Sequence, residues 1–172
     1  MWWWPLIAVA DPSAVDSIRA RWKQVQGLRQ GEELYALELN ANPEDRQWAA
    51  VGTYNQVTTC YRVIGESPYP DPEPILVTVR QMVSSHAGDR TFLYTDAGAL
   101  VFAHATSDEN PSWRVYWSDK KVVRIQHGDA VVTGESASKA AAGLRLHGEA
   151  MFETCRAMAR SSSLWEDVPW TL

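Results

Sequence analysis

The sequence predicts an α+β fold: an N-terminal helix, an antiparallel meander sheet of six or seven strands, and a C-terminal helix packed on the sheet. Two observations carry this prediction. Residues 91–102 and 113–125 have the pattern of consecutive β-hairpins, each with an aromatic first strand, an Asp-containing turn and an aliphatic return. Apolar residues recur at helical spacing on either side of the strands. A length of 172 residues suits one domain.

The first helix is predicted over residues 13–30. Asp11-Pro12-Ser13 supplies a cap and a proline for the first turn, and Gly31 ends the helix. Its apolar side chains fall on one face: Val15, Ile18, Trp22 and Val25.

Strands are then expected over residues 33–39, 48–64 (one bent strand or two, around Gly52) and 75–83. Residues 67–74 hold four prolines at every second position, which predicts a stiff, extended surface loop. Residues 86–89 are predicted to turn the chain into the hairpins.

In the first hairpin, Gly98 suits the left-handed position of a three-residue loop. This register places Phe92 opposite Phe102 and Tyr94 opposite Leu100, all on one face. The second hairpin predicts one apolar and one wet face, with Trp113, Val115, Trp117, Val123 and Ile125 against Arg114, Tyr116, Arg124 and Gln126.

The last helix is predicted over residues 137–160. Its expected apolar stripe consists of Ala140, Leu144, Met151, Cys155 and Met158. Residues 161–172 follow as a tail, so residues 11–160 form the predicted domain.

The net charge of −5, without a basic run, argues against a nucleic-acid partner. No stretch approaches the roughly 20 apolar residues of a membrane span. Residues 2–10 are uncharged and end in Ala8-Val9-Ala10, which resembles a signal-peptide cleavage site, although no basic residue precedes them. Residues 1–10 are therefore interpreted as the remnant of a signal peptide, with a hydrophobic arm folded on the sheet as the alternative.

The cellular compartment also decides whether the two cysteines, Cys60 and Cys155, can form a disulfide. In an oxidising compartment they could form a disulfide that closes a loop of about 100 residues and stabilises by up to about 4.7 kcal/mol. The alternative is a pair of buried thiols. The expected location is periplasmic or secreted, and otherwise cytoplasmic.

A resemblance supports export. The pattern Tyr94-x-Asp96-x-Gly98-x-Leu100-Val-Phe102, followed by Arg114-Val-Tyr-Trp and Val-Val-Arg124, resembles small exported bacterial proteins of uncharacterised function, whose hairpin turn is one residue longer. The resemblance covers about residues 75–126 and implies an extracytoplasmic setting without a known chemistry. The order of elements is also similar to cystatin-like and NTF2-like shapes, which is an analogy of fold alone.

Catalytic and metal-binding motifs were not found. Each histidine stands alone in the sequence, and HExxH, CxxC and phosphate-binding glycine loops do not occur. The sequence therefore predicts no metal and no cofactor, and it leans away from an enzyme.

Two kinds of site remain. In the predicted register Arg90, Tyr94, Phe102 and His104 share one face, which could line a pocket with aromatic walls and a cationic end for a small anionic ligand. The alternative is a core face with Arg90 and His104 at its rim.

Exposed aromatic residues suit contacts with a protein partner: Tyr69 in the proline-rich loop, and Trp165 and Trp170 in the tail. The alternatives are a spacer loop and a tail folded back on the sheet. Taken together, these features favour a non-catalytic exported protein that binds a protein or peptide partner, of inhibitor or immunity type. The alternative function is a small-ligand-binding domain.

Overall fold

The computed structural model describes residues 12–44, 46–48, 52–64 and 73–163. Its elements, in chain order, are α1 (Pro12–Gln30), β1 (Leu34–Ala41), β2 (Gln47–Trp48), β3 (Gly52–Val63), β4 (Leu76–Val83), β5 (His86–Tyr94), β6 (Leu100–Ser107), β7 (Trp113–Ser118), β8 (Lys121–His127), β9 (Ala130–Val131) and α2 (Glu135–Ser163). The predicted fold class is confirmed: a helix, an antiparallel meander sheet, and a C-terminal helix packed on it.

Eight strands form the sheet in the order β1-β3-β4-β5-β6-β7-β8-β9, and β2 pairs with β3 outside this path. The seven longer strands correspond to the predicted ones, and β2 with β3 matches the alternative of two strands around Gly52. Strand β9 has only two residues and carries too little pattern to be predicted. The predicted signal remnant, residues 1–10, lies outside the described residues. Helix α2 continues to Ser163, past the predicted end at Arg160, and residues 164–172 of the predicted tail are also outside.

The turn between β4 and β5 lies at Ser84 and Ser85, so the turn predicted at residues 86–89 is wrong. Ser84 takes a left-handed conformation with φ 56°, which permits a two-residue connection. His86 and Asp89 then pair with Val83 and Arg80 as part of the antiparallel ladder.

Both faces of the sheet are covered, and we call them the α1 face and the α2 face. Against α1 pack Leu76, Leu93, Phe102 and Tyr116, together with Val15, Ile18 and Val25 of the helix. Against α2 pack Cys60, Val77, Val79, Phe92, Tyr94, Ala103, Val115 and Trp117, together with Ala141, Leu144, Phe152 and Cys155 of the helix. The prediction of one wet face is therefore wrong in the centre of the sheet, where Tyr116 is only 5% exposed.

A bulge in β6 explains the largest error in the predicted register. Tyr94 pairs with Leu100, as predicted, but Leu93 pairs with Phe102, so Val101 is an extra residue on β6. Phe102 consequently lies on the α1 face, whereas Phe92 lies opposite Ala103 on the α2 face. The predicted pairing of Phe92 with Phe102 is wrong.

The second hairpin has the same irregularity. Trp117 pairs with Val122 and Tyr116 pairs with Arg124, which leaves Val123 as the extra residue on β8. Val123 packs beside Tyr116 in the α1 core, not with the tryptophans as predicted. In the first hairpin the bulge moves Phe102 and His104 to the face opposite the predicted one, and in the second it moves Val123.

Helix α2 lies close against the sheet at Gly148. A Cβ atom at this position would lie 2.9 Å from Leu100 Cδ2 and from Phe92 Cδ1. The buried hydroxyl of Tyr94 donates a hydrogen bond of 2.8 Å to the Gly148 carbonyl. Glycine is therefore required here by the space between helix and sheet, not by backbone conformation.

A disulfide joins the far end of α2 to the sheet. Cys60 on β3 and Cys155 on α2 are bonded, are completely buried, and are separated by 95 residues in sequence. The buried guanidinium of Arg62 donates to the carbonyl of Cys155. The C-terminal half of α2 is thus held on β3 covalently as well as by packing.

Candidate ligand-binding groove

The four predicted ligand-binding residues do not form one site. Arg90 and Tyr94 lie on the α2 face, whereas Phe102 and His104 lie on the α1 face, because the extra residue Val101 reverses the sides of the return strand. The pocket predicted from all four residues is therefore wrong.

Three of the four have structural roles. Tyr94 is completely buried, and burial raises the pKa of its hydroxyl. Phe102 packs in the α1 core, with its ring centroid 5.5 Å from that of Trp22. His104 lies next to Arg114 on the neighbouring strand, and the pKa of its imidazole is lowered by burial and then by the Arg114 charge.

Arg90, the fourth residue, lines a groove between α2 and the α2 face of the sheet. The groove has a volume of about 490 Å³. The sheet contributes Gln81, Arg90, Ala105 and Trp113, and the helix contributes Lys139, Ala140, Gly143, Leu144 and His147. We call it the α2 groove.

Small side chains on both walls create this groove. Ala105 of β6 pairs with Arg90 on one side and with Trp113 on the other, so a methyl group lies between two long side chains. On the helix, Ala140 and Gly143 are three residues apart and share a face. A Cβ atom at Gly143 would meet nothing within 4 Å. The space therefore results from short side chains facing each other across the helix–sheet interface.

One end of the α2 groove is cationic. Arg90 Nη1 donates a 2.7 Å hydrogen bond to Gln81 Oε1, which orients the guanidinium. The pKa of His147 is lowered by burial and then by the Arg90 charge, so its imidazole is neutral at pH 7. Lys139 lines the groove from the first turns of α2, and its Nζ lies 2.8 Å from Glu135 Oε1, with both side chains largely exposed. None of the nine lining residues carries a carboxylate.

The other end of the α2 groove is aromatic. The indole of Trp113 stacks on the ring of His127, with centroids 4.2 Å apart and planes 14° from parallel. Nearer to Arg90, the ring of His147 contacts Phe92, which is two residues from Arg90 on β5, edge-on with centroids 5.2 Å apart. Ring contacts of this kind reduce the freedom of both side chains and fix the shape of the groove.

Sequence reasoning found Arg90 but missed the other eight lining residues. The signal available was the spacing of Ala140 and Gly143 on one helical face, and the small Ala105 between an arginine strand and a tryptophan strand. The place where α2 crosses the sheet decides which of these residues meet, and helical periodicity does not specify it.

Other predicted features can be placed more briefly. Tyr69, Trp165 and Trp170, the predicted partner contacts, lie outside the described residues. Within the part of the chain that the structure describes, no group of three or more His, Cys, Asp or Glu side chains is arranged to hold a metal ion. Neither described helix combines the length and apolar character needed to cross a bilayer.

Comparison of the chain with protein-family models, with curated proteins and with solved structures gave no match.

Proposed function

We propose that this protein is a non-catalytic binding protein that takes a small anionic ligand in the α2 groove. The observation that carries the proposal is the oriented guanidinium of Arg90 in a groove whose lining contains no carboxylate. An arginine side chain stays charged at any physiological pH and presents a planar set of donors to an anion. Its hydrogen bonds to a charged partner contribute about 1.5–3 kcal/mol.

The dimensions of the groove support a small ligand. A volume of about 490 Å³ lies within the range of about 300–1,000 Å³ that is typical of small-molecule sites. Five of the nine lining residues are apolar, and they surround a small number of polar groups, as in most such sites.

The lining residues also favour binding over catalysis. They include no serine, threonine, cysteine, tyrosine or carboxylate, so the groove does not pair a nucleophile with a base. His104, one of the four predicted ligand-binding residues, lies on the opposite face of the sheet and cannot act in this groove.

We further propose that the protein acts outside the cytoplasm. The disulfide between Cys60 and Cys155 supports this, because disulfides form and persist in oxidising compartments. Binding of a protein or peptide partner stays a prediction from the sequence, since Tyr69, Trp165 and Trp170 lie outside the described residues.

Filling the groove tests the binding proposal. In Gly143→Leu the new side chain would occupy the open space, and leucine favours the helix more than glycine does. Gly27→Leu is the matched control, because Gly27 is also helical, has nothing within 4 Å of its Cβ position, and lies on α1.

Binding of small carboxylates and inorganic phosphate would be followed by ligand-observed NMR. We expect at least one of these anions to bind the wild type and Gly27→Leu, and none to bind Gly143→Leu. Equal binding to both variants, or no binding to the wild type, would show that the groove is not an anion site.

A further inference from the structure

From the distribution of charge and apolar surface along the α2 groove, we infer that its ligand is an amphipathic monocarboxylate. Its carboxylate would bind Arg90, and an aryl or short alkyl group would lie toward Trp113. This inference rests on the proposed function and narrows the ligand from small anions in general to one chemical class.

The charges of the groove favour a single negative charge on the ligand. Arg90 has no carboxylate within salt-bridge distance among the described residues, and its hydrogen bond to Gln81 leaves its other N–H groups for a ligand. Lys139 is compensated by Glu135, and the imidazole of His147 is neutral near pH 7. One net positive charge matches a carboxylate better than a phosphate dianion.

The geometry of the cation also favours a carboxylate. A guanidinium holds its donors in one plane, and two parallel N–H groups match the two oxygens of a carboxylate. Because Gln81 accepts from Nη1 of Arg90, the plane of the guanidinium is fixed before a ligand arrives. The binding site is therefore pre-organised at its polar end.

The apolar part of the ligand would lie along the sheet. Arg90, Ala105 and Trp113 pair in succession on three neighbouring strands. At about 4.8 Å per strand, the Cα atoms of Arg90 and Trp113 are about 10 Å apart. Ala105 lies between Arg90 and Trp113 on the sheet, and Leu144 is an apolar residue of the helix wall, so a ring two or three bonds from the carboxylate has apolar side chains available to contact.

Four probes separate the parts of this inference: 3-phenylpropanoate, its amide, propanoate and inorganic phosphate, each titrated at pH 7.5 by isothermal calorimetry. The amide keeps the ring without the charge, propanoate keeps the charge without the ring, and phosphate is a different anion. We expect 3-phenylpropanoate to bind about tenfold or more tightly than each of the other three.

Two variants test which residue binds the carboxylate and which contacts the ring. Arg90→Gln should remove the preference for 3-phenylpropanoate over its amide, and Trp113→Leu should reduce the preference for 3-phenylpropanoate over propanoate. Arg114→Gln is the control for net charge, because it removes one arginine from the α1 face and should leave all four affinities unchanged.

The outcomes distinguish the two proposals. If phosphate or propanoate binds as tightly as 3-phenylpropanoate, and Gly143→Leu abolishes that binding, the ligand class is wrong and the groove is still an anion site. If the amide binds as tightly as the acid, the role of Arg90 is wrong. If no probe binds, or binding survives Gly143→Leu, both proposals are overturned.

Discussion

Removing the disulfide should destabilise the fold by a predictable amount. The perturbation is the double substitution Cys60→Ala and Cys155→Ala, which leaves no unpaired thiol. Both cysteines are completely buried, and alanine introduces no polar group into the core. The bond closes a loop with a sequence separation of 95 residues between β3 and α2.

The magnitude follows from the entropy of the unfolded chain. Opening a loop of this length is expected to cost about 4.7 kcal/mol in the chain-entropy model, and the two smaller side chains add a cavity term. Single domains are usually stable by about 5–15 kcal/mol, so the loss is a large part of the total. The slope of unfolding free energy against denaturant should also rise, because the unlinked chain exposes more surface when unfolded.

Urea denaturation followed by tryptophan fluorescence, with and without a reductant, measures both effects. We expect the midpoint of the wild type to fall in reductant to near that of the double variant, and the variant to be insensitive. Should the variant be too unstable to fold, the reductant dependence of the wild type alone decides. The reasoning would be refuted if the urea midpoint of the wild type did not change with reductant and two thiols titrated in the unreduced, denatured protein.

Three further predictions concern stability. Gly148→Ala should destabilise the protein by about 1–3 kcal/mol, because the added methyl group overpacks the space between α2 and the sheet. Gly27→Ala should stabilise it by up to about 1 kcal/mol, because alanine favours a helix and its methyl group meets nothing. Urea midpoints that change in the same direction in both variants would contradict this. Tyr94→Phe should cost about 1 kcal/mol in the same assay, because the Gly148 carbonyl loses the hydrogen bond that the Tyr94 hydroxyl donates, and an unchanged midpoint would contradict this. Folding lowers the pKa values of His104 and His147, so near and below pH 6.5 the unfolded chain binds more protons than the folded protein does. The free energy of unfolding should therefore be highest above pH 6.5 and should decrease as the pH falls. Replacing both histidines by glutamine should weaken this decline between pH 7.5 and pH 5.5, and a decline equal to that of the wild type would contradict the assignment.

Much of the fold could be predicted from local patterns. The predicted apolar residues Val15, Ile18 and Val25 of α1 are buried, and the turn at Gly98 has the expected left-handed backbone, with φ 76°. In α2 the prediction holds for Leu144 and Cys155 and misses the buried Phe152. The errors arose where one extra residue reversed which side chains of a strand point to each face of the sheet. Val101 and Val123 are β-branched residues that suit a regular strand, so nothing in their identity marks a bulge.

The candidate site was predictable only in part. Arg90 lines the α2 groove, but its proposed neighbours Phe102 and His104 required the regular register that the bulge removes. The helix wall was missed because the crossing of α2 over the sheet depends on tertiary packing. Gly148 allows the helix to lie close against the sheet, and the disulfide at Cys155 fixes its far end.

A nitrogen-15 NMR titration with 3-phenylpropanoate tests the central claim most directly. The two signals to follow are the Nε–H of Arg90 and the indole N–H of Trp113, assigned with Arg90→Gln and Trp113→Phe. If the α2 groove binds the ligand as proposed, both signals shift and saturate with one dissociation constant, while the Nε–H of Arg114 stays in place. Shifts confined to other parts of the protein, or none at all, would contradict it.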